Sequence, residues 1–128
     1  MFKALDIRKY NVRLKATIQS SGKLNFTEDT ARALELSDNT YMRFGVDDED
    51  ESIYYLAILP EGDDNSFKIN KSGIYYYLPG KLLFDALGLN YKEGPIMFDL
   101  IRISEMDDIA GGEVYKLLKK TSRERNKN

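Results

Sequence analysis

Two stretches of the chain follow one pattern: TIQSSGKLNFTEDTARALEL at residues 17–36 and KINKSGIYYYLPGKLLFDALGL at residues 68–89. Each has a polar strand end, a Ser-Gly turn, an apolar strand, a short helical run and a Leu-x-Leu end. The period is about 50 residues, as in repeat proteins. Two copies are too few for an open array, so the repetition predicts a closed, pseudo-twofold β-barrel in which mutual pairing removes unpaired strand edges.

The first half begins with a period-two alternation, which predicts a half-buried strand. Its apolar side carries Val12, Leu14, Ala16 and Ile18, and its polar side Arg13, Lys15, Thr17 and Gln19. Thr27 is a predicted N-cap, and Glu28 and Asp29 suit the positive end of the helix dipole. Strands are then predicted at 41–46 and 53–59, joined by the acidic turn DDEDE at 47–51.

The second half repeats this order. We expect strand residues at 67–69 and 74–78, Pro79 in the first helical turn, and Gly88 at the helix end. Further strands are predicted at 96–103 and 114–118, with a loop at 107–112.

The chain is therefore predicted to be a single domain over 1–128, mostly β with short helices (α+β). Repeat 1 covers about 11–59, repeat 2 about 67–118, with a linker at 60–66 and a disordered basic tail at 119–128.

The sequence contains no Cys and no His. These absences exclude thiol nucleophiles, disulfides and Ser-His pairs, and they remove the commonest metal ligand. We therefore expect a protein that is not an enzyme and uses no metal or other cofactor. No apolar run of membrane-spanning length and no signal core is present, so a cytoplasmic protein without membrane contact is expected.

Charge is distributed unevenly. Residues 1–23 carry six cations against Asp6, and residues 115–128 carry six against Glu124, so each end has a net charge of +5. With a total of −2, the middle carries −12. Such asymmetry is typical of a localised anion-binding surface on an otherwise acidic protein.

The segment GKLNFTEDTARALEL at residues 22–36 resembles the core of AbrB-type swapped-hairpin proteins, which reads Gly-Arg-x-x-Ile-Pro, a short helix and Leu-Gly-Ile/Val. Gly22, Lys23 and Phe26 align with Gly, Arg and Ile, and Leu34-Glu35-Leu36 aligns with the last element. Gly73, Leu78-Pro79 and Leu87-Gly88-Leu89 fill these roles in the second half. Two such units in one chain resemble the MraZ arrangement. MraZ-like proteins carry an Asp-x-x-x-Arg motif across the turn, and this sequence departs from it. Gln19 and Lys23 stand at the Asp and Arg positions in the first copy, and Asn70 and Ile74 stand there in the second.

This resemblance implies a double-split or swapped-hairpin barrel and a transcription-regulator-like protein that binds double-stranded DNA as a homo-oligomer. The implied DNA-binding residues are Arg8, Lys9, Arg13, Lys15 and Lys23. Such a face can neutralise phosphates, but the same residues also fit a solvated strand face that discourages aggregation. The alternative function is a protein-interaction module, like antitoxin-like relatives of the fold, that lacks DNA binding and uses an acidic or Tyr-rich face.

Three other motifs have a structural and a functional interpretation. The turn at 47–51 is a solvated turn or a cation site, although it lacks the spaced ligands and Gly of a Ca²⁺ loop. Tyr75, Tyr76 and Tyr77 pack in the sheet, stack on single-stranded nucleic acid, or contact a protein. Gly111-Gly112 matches no phosphate-binding loop and predicts a hairpin turn.

Overall fold

A computed structural model describes residues 1–4 and 13–120. Nine short strands and a few helical turns make up the described chain. In chain order they are β1 (Lys15–Ile18), β2 (Lys23–Phe26), α1 (Glu28–Ala33), β3 (Tyr41–Val46), β4 (Tyr54–Leu59), β5 (Phe67–Lys68), β6 (Asn70–Ser72), β7 (Tyr75–Pro79), α2 (Lys81–Ala86), β8 (Ile96–Arg102), a 3-10 turn (Ser104–Met106), α3 (Asp107–Ala110) and β9 (Glu113–Lys119).

The strands form one antiparallel sheet with the order β5-β3-β4-β9-β8-β1-β2-β7-β6. Its two end strands, β5 and β6, are separated in the chain by Ile69 alone, and the Ile69 amide donates to the carbonyl of Thr40 at 2.9 Å. The sheet therefore curls into a nearly closed barrel. The expectation of a mostly β, α+β barrel is confirmed.

The barrel encloses one main apolar core. Alternate residues of each strand point inward, as shown by the buried–half-buried alternation of β1 and β2. The largest fully buried side chains include Tyr91, Tyr115, Phe26, Phe84 and Phe98. Removing these apolar surfaces from water is the main driving force for closing the sheet.

The two halves of the chain, before and after residue 60, are joined by four strand pairings: β1 with β8, β2 with β7, β3 with β5 and β4 with β9. Each half also contains a hairpin, a helix and a second hairpin in that order. The halves are thus interlocked in one sheet, while their interpretation as repeats stays a prediction.

Pro79 and the segment 107–112 differ from their predicted structure. Pro79 was expected in the first helical turn, but it is the last residue of β7 and lies opposite Lys23, and Gly80 precedes α2. The end of a strand tolerates proline, which has no amide proton to donate. The loop expected at 107–112 instead contains α3, since Asp107 anchors this turn through hydrogen bonds to Arg102 and the Val114 amide.

The last strand extends past the predicted start of the tail at residue 119. β9 continues to Lys119, and the Lys120 amide donates to the carbonyl of Met97 at 2.8 Å. Residues 121–128, and residues 5–12 of the predicted arm, lie outside the described residues. None of the helices in the described chain has the length and apolar character needed to cross a membrane.

Candidate functional site

The outward side chains of β9, β8, β1 and β2 form one continuous face of the barrel. Lys15 lies opposite Asp99, and Asp99 lies opposite Leu118. One step along the strands, Thr17 lies between Met97 and Asn25. Because neighbouring strands lie about 4.8 Å apart, these side chains can contact a single extended ligand.

Three of the five predicted DNA-binding residues lie on this face. Arg13 precedes β1 and its side chain is 74% exposed, whereas Lys15 and Lys23 are half-buried. The Lys23 ammonium lies 4.5 Å from the centroid of the Tyr77 ring, an arrangement that orients the cation through a cation–π contact. Arg8 and Lys9 lie outside the described residues.

A single carboxylate lies among these cations. Asp99 Oδ2 is 3.7 Å from a guanidinium nitrogen of Arg13, and Asp99 Oδ1 is 4.0 Å from Lys120 Nζ. Asp99 is only 20% exposed, and its Oδ1 accepts no hydrogen bond. We call Arg13, Lys15, Lys23 and Lys120, together with Asp99, the basic face; its net charge is +3.

The rest of the described chain is acidic. It contains ten cations and 18 carboxylates, a net charge of −8. Five of the carboxylates lie in the turn at 47–51, where Asp47 Oδ2 accepts from the amides of Glu49 and Asp50. Hydrogen bonds from Ser52 hold the pKa of Asp50 below its usual range. These bonds stabilise a hairpin turn, and no group of three or more candidate metal ligands occurs in residues 1–4 and 13–120.

Beside the basic face lies a shallow cavity of about 400 Å³, which we call the tyrosine pocket. Its lining comprises Thr17, Gln19, Asn25, Phe26, Thr27 and Tyr75. Tyr75 is 51% exposed. The three tyrosines of β7 follow the predicted alternation: Tyr77 pairs with outward-facing Asn25, and Tyr76 pairs with buried Phe26. Tyr76 thus packs against the core, while the Tyr75 ring faces solvent.

A second polar cluster joins the end of β8, α3 and the start of β9. Arg102 donates to both carboxylate oxygens of Asp107 at 2.7 and 2.6 Å, which lowers the pKa of Asp107. Burial raises the pKa of the Tyr115 phenol, which donates to Glu113. Gly112 is required nearby because a Cβ there would lie 1.9 Å from the carbonyl oxygen of Ile58.

Sequence reasoning did not find Asp99, Lys120 or Asn25. Asp99 is brought to Lys15 by a pairing that spans more than 80 residues, and Lys120 is held beside β8 by the bond from its amide to the Met97 carbonyl, so no local pattern connects them with Arg13 and Lys15. Asn25 was detectable in principle, because it alternates with buried Leu24 and Phe26 on the same strand.

Comparisons with family models, curated proteins and solved structures found no match to this chain. Its function must therefore be inferred from the chemistry of its surfaces.

Proposed function

We propose that this protein is a small, non-catalytic DNA-binding regulator of the AbrB/MraZ type, and that its basic face contacts the phosphates of double-stranded DNA. The observation that carries the proposal is the grouping of Arg13, Lys15, Lys23 and Lys120 on one face of the antiparallel sheet, in a molecule whose other described residues are acidic overall. The charge separation orients the protein, because DNA attracts this face and repels the rest.

Four cations on one face can neutralise about four phosphates. A homo-oligomer in the cytoplasm would multiply these weak contacts, because each additional subunit binds at a high effective concentration. Arg13 is well suited to a bidentate phosphate contact, whereas the lysines act as point charges.

Salt dependence tests the proposal. Affinity for a random 20-base-pair duplex is measured by fluorescence anisotropy at 50 and 200 mM NaCl. Four phosphate contacts give a slope of roughly −3.6 in log K against log salt, so affinity should fall about a hundredfold. Absence of binding at 50 mM would remove the proposal.

The face is tested by charge reversal. Arg13→Glu combined with Lys15→Glu should abolish binding at both salt concentrations. The charge-matched control is Lys68→Glu combined with Lys71→Glu, which reverses two exposed cations on β5 and β6, the end strands of the sheet, neither of which belongs to the basic face. Equal losses in the two proteins would show that net charge, and not this face, governs binding.

One observation favours the alternative, a protein-interaction module. Ile101 and Leu118 are diagonal neighbours on the outer face of β8 and β9, and they are 45% and 50% exposed. An apolar pair beside cations fits the edge of a protein interface. If DNA does not bind, size-exclusion chromatography with light scattering on the Leu118→Asp variant should show loss of a self-association that the parent protein displays.

A further inference from the structure

We propose that the tyrosine pocket receives one unpaired nucleobase of a bound nucleic-acid strand. This inference rests on the proposed function and adds a subsite to it: the basic face holds the backbone, and the pocket holds a base. The protein should therefore prefer nucleic acid with an unpaired base over a continuous duplex.

The stacking surface is the Tyr75 ring. The register of β2 and β7 places Tyr77 opposite Asn25, so Tyr75 lies one step further along, beside Thr27 at the end of the cavity. Tyr75 is 51% exposed, whereas the next two residues of β7, Tyr76 and Tyr77, are half-buried. An exposed aromatic ring stacks on any base, because every base has a π-face.

The polar lining suits the edge of a base. The side chains of Thr17, Gln19 and Asn25 form no hydrogen bond with any other residue that the structure describes. Gln and Asn each offer a carbonyl acceptor and two amide donors, and Thr offers a hydroxyl that does both. Together they can pair with the donors and acceptors of a base without requiring one particular sequence.

Cations lie at both ends of the pocket. The Thr27 amide donates to the Lys15 carbonyl at 3.3 Å, and the Gln19 amide donates to the Lys23 carbonyl at 2.9 Å, so each lysine adjoins a lining residue. Lys15 and Gln19 are four residues apart, a separation of about 13 Å along the strand. The lining contains no acidic side chain. The two lysines can therefore neutralise phosphates on either side of the inserted base.

A paired base in continuous duplex DNA is already stacked on both faces and cannot reach the ring. An unpaired base costs little to unstack, which is a known source of selectivity for proteins that bind extruded bases. This difference makes the pocket testable independently of the basic face.

The experiment compares two probes with the full-length protein at 100 mM NaCl: a 20-base-pair duplex, and the same duplex with one unpaired thymidine in the centre. We expect the bulged duplex to bind about tenfold more tightly, within the range for base–aromatic stacking. Tyr75→Ala should remove this preference and leave the affinity for the plain duplex unchanged. Tyr75→Phe keeps the ring and should retain the preference. Because Tyr75 is exposed, both variants should keep the thermal midpoint of the parent.

The possible results separate the two proposals. Salt-dependent binding with equal affinity for both probes overturns the pocket and leaves the proposed function standing. A preference that persists in Tyr75→Ala also overturns the pocket. Loss of all nucleic-acid binding removes both. Self-association of the protein that disappears in Tyr75→Ala would show that this surface is a protein interface, and would overturn the base-binding inference.

Discussion

At the scale of single residues, Asp99 is the carboxylate that lies within the basic face. Its carboxylate lies within 4.0 Å of Arg13 and Lys120, and it faces Lys15 across the β1–β8 pairing. It therefore lowers the positive potential at the place where phosphates are proposed to bind.

Replacing Asp99 by Asn should raise the affinity for duplex DNA by about fivefold at 50 mM NaCl, because removing one nearby negative charge is worth on the order of 1 kcal/mol at a protein surface. Fluorescence anisotropy measures the change. Asp64→Asn alters the net charge equally in the connection between β4 and β5, and it should change affinity much less. Equal effects of the two variants would contradict a local role for Asp99.

Thr30 joins α1 to β1. Its hydroxyl oxygen, fully buried, accepts a hydrogen bond of 2.7 Å from the Lys15 amide and another from the Thr27 hydroxyl. Thr30→Val leaves the Lys15 amide without a partner, so the free energy of unfolding should fall by about 1–3 kcal/mol. Thr30→Ser keeps the oxygen and should lose only about 1 kcal/mol. Urea unfolding measures the stability of both variants. A Val variant as stable as the Ser variant would show that the hydrogen bond from the Lys15 amide to Thr30 contributes little.

At the scale of elements, both main helices end in the same way. The Leu36 amide bonds to the Ala31 carbonyl and the Leu89 amide to the Phe84 carbonyl, which is the bonding pattern of a Schellman motif. The residue in the left-handed region is Gly88 with φ 74° in one helix and Glu35 with φ 57° in the other. The two Leu-x-Leu sequences therefore mark equivalent helix ends, and Glu35 stands where glycine is favoured.

The cost of Glu35 can be measured without confusing it with lost side-chain contacts. Glu35→Gly and Glu35→Ala both remove the carboxylate, but only Gly adopts positive φ without strain. The Gly variant should be more stable than the Ala variant by about 1 kcal/mol, and Gly88→Ala should destabilise the protein by a similar amount. Thermal and urea unfolding test both. Equal stability of the two Glu35 variants would show that this helix end relaxes easily.

The hydrogen bonds of Asp107 in α3 should make a contribution to stability that depends on pH. Arg102 and the Val114 amide hold the pKa of Asp107 below the ordinary value of about 3.9. Since the folded-state pKa is depressed, the stabilisation is present above about pH 4 and is lost as pH falls through the folded pKa. Parent and Asp107→Asn should therefore differ in urea midpoint at pH 7 and converge towards pH 2. A difference that is constant with pH would contradict this assignment.

At the scale of the whole molecule, the two halves depend on each other for strand pairing. Both β2–β7 and β4–β9 join one half to the other, so neither half has a complete sheet. This arrangement predicts one cooperative unfolding transition rather than two.

A fragment of residues 1–62 should not fold as a monomer, because β2 and β4 would have unpaired edges. It should be either unfolded, or a homodimer in which a second copy supplies the missing strands. Circular dichroism and light scattering distinguish these outcomes. A homodimer would support the two-repeat prediction, whereas a folded monomer would show that the first half does not need the second.

The sequence predicted most of the elements because their causes are local. Alternation identified β1, Thr27 was recognised as the cap of α1, and Gly88 as the end of α2. Pro79 was misplaced because a proline after an apolar run fits both the end of a strand and the start of a helix, and only the pairing with Lys23 distinguishes them.

The sequence by itself determined most of the element order, the mostly β class and the polar side of the first strand segment, where Lys15 follows Arg13, since each depends on residues a few positions apart. Only the tertiary structure decided that Asp99 and Lys120 join them, and that Tyr75 faces solvent beside Thr17 and Asn25. These neighbours are set by strand register across the barrel. Register depends on how the buried faces of distant strands fit together, which is a property of the closed sheet and not of any single segment.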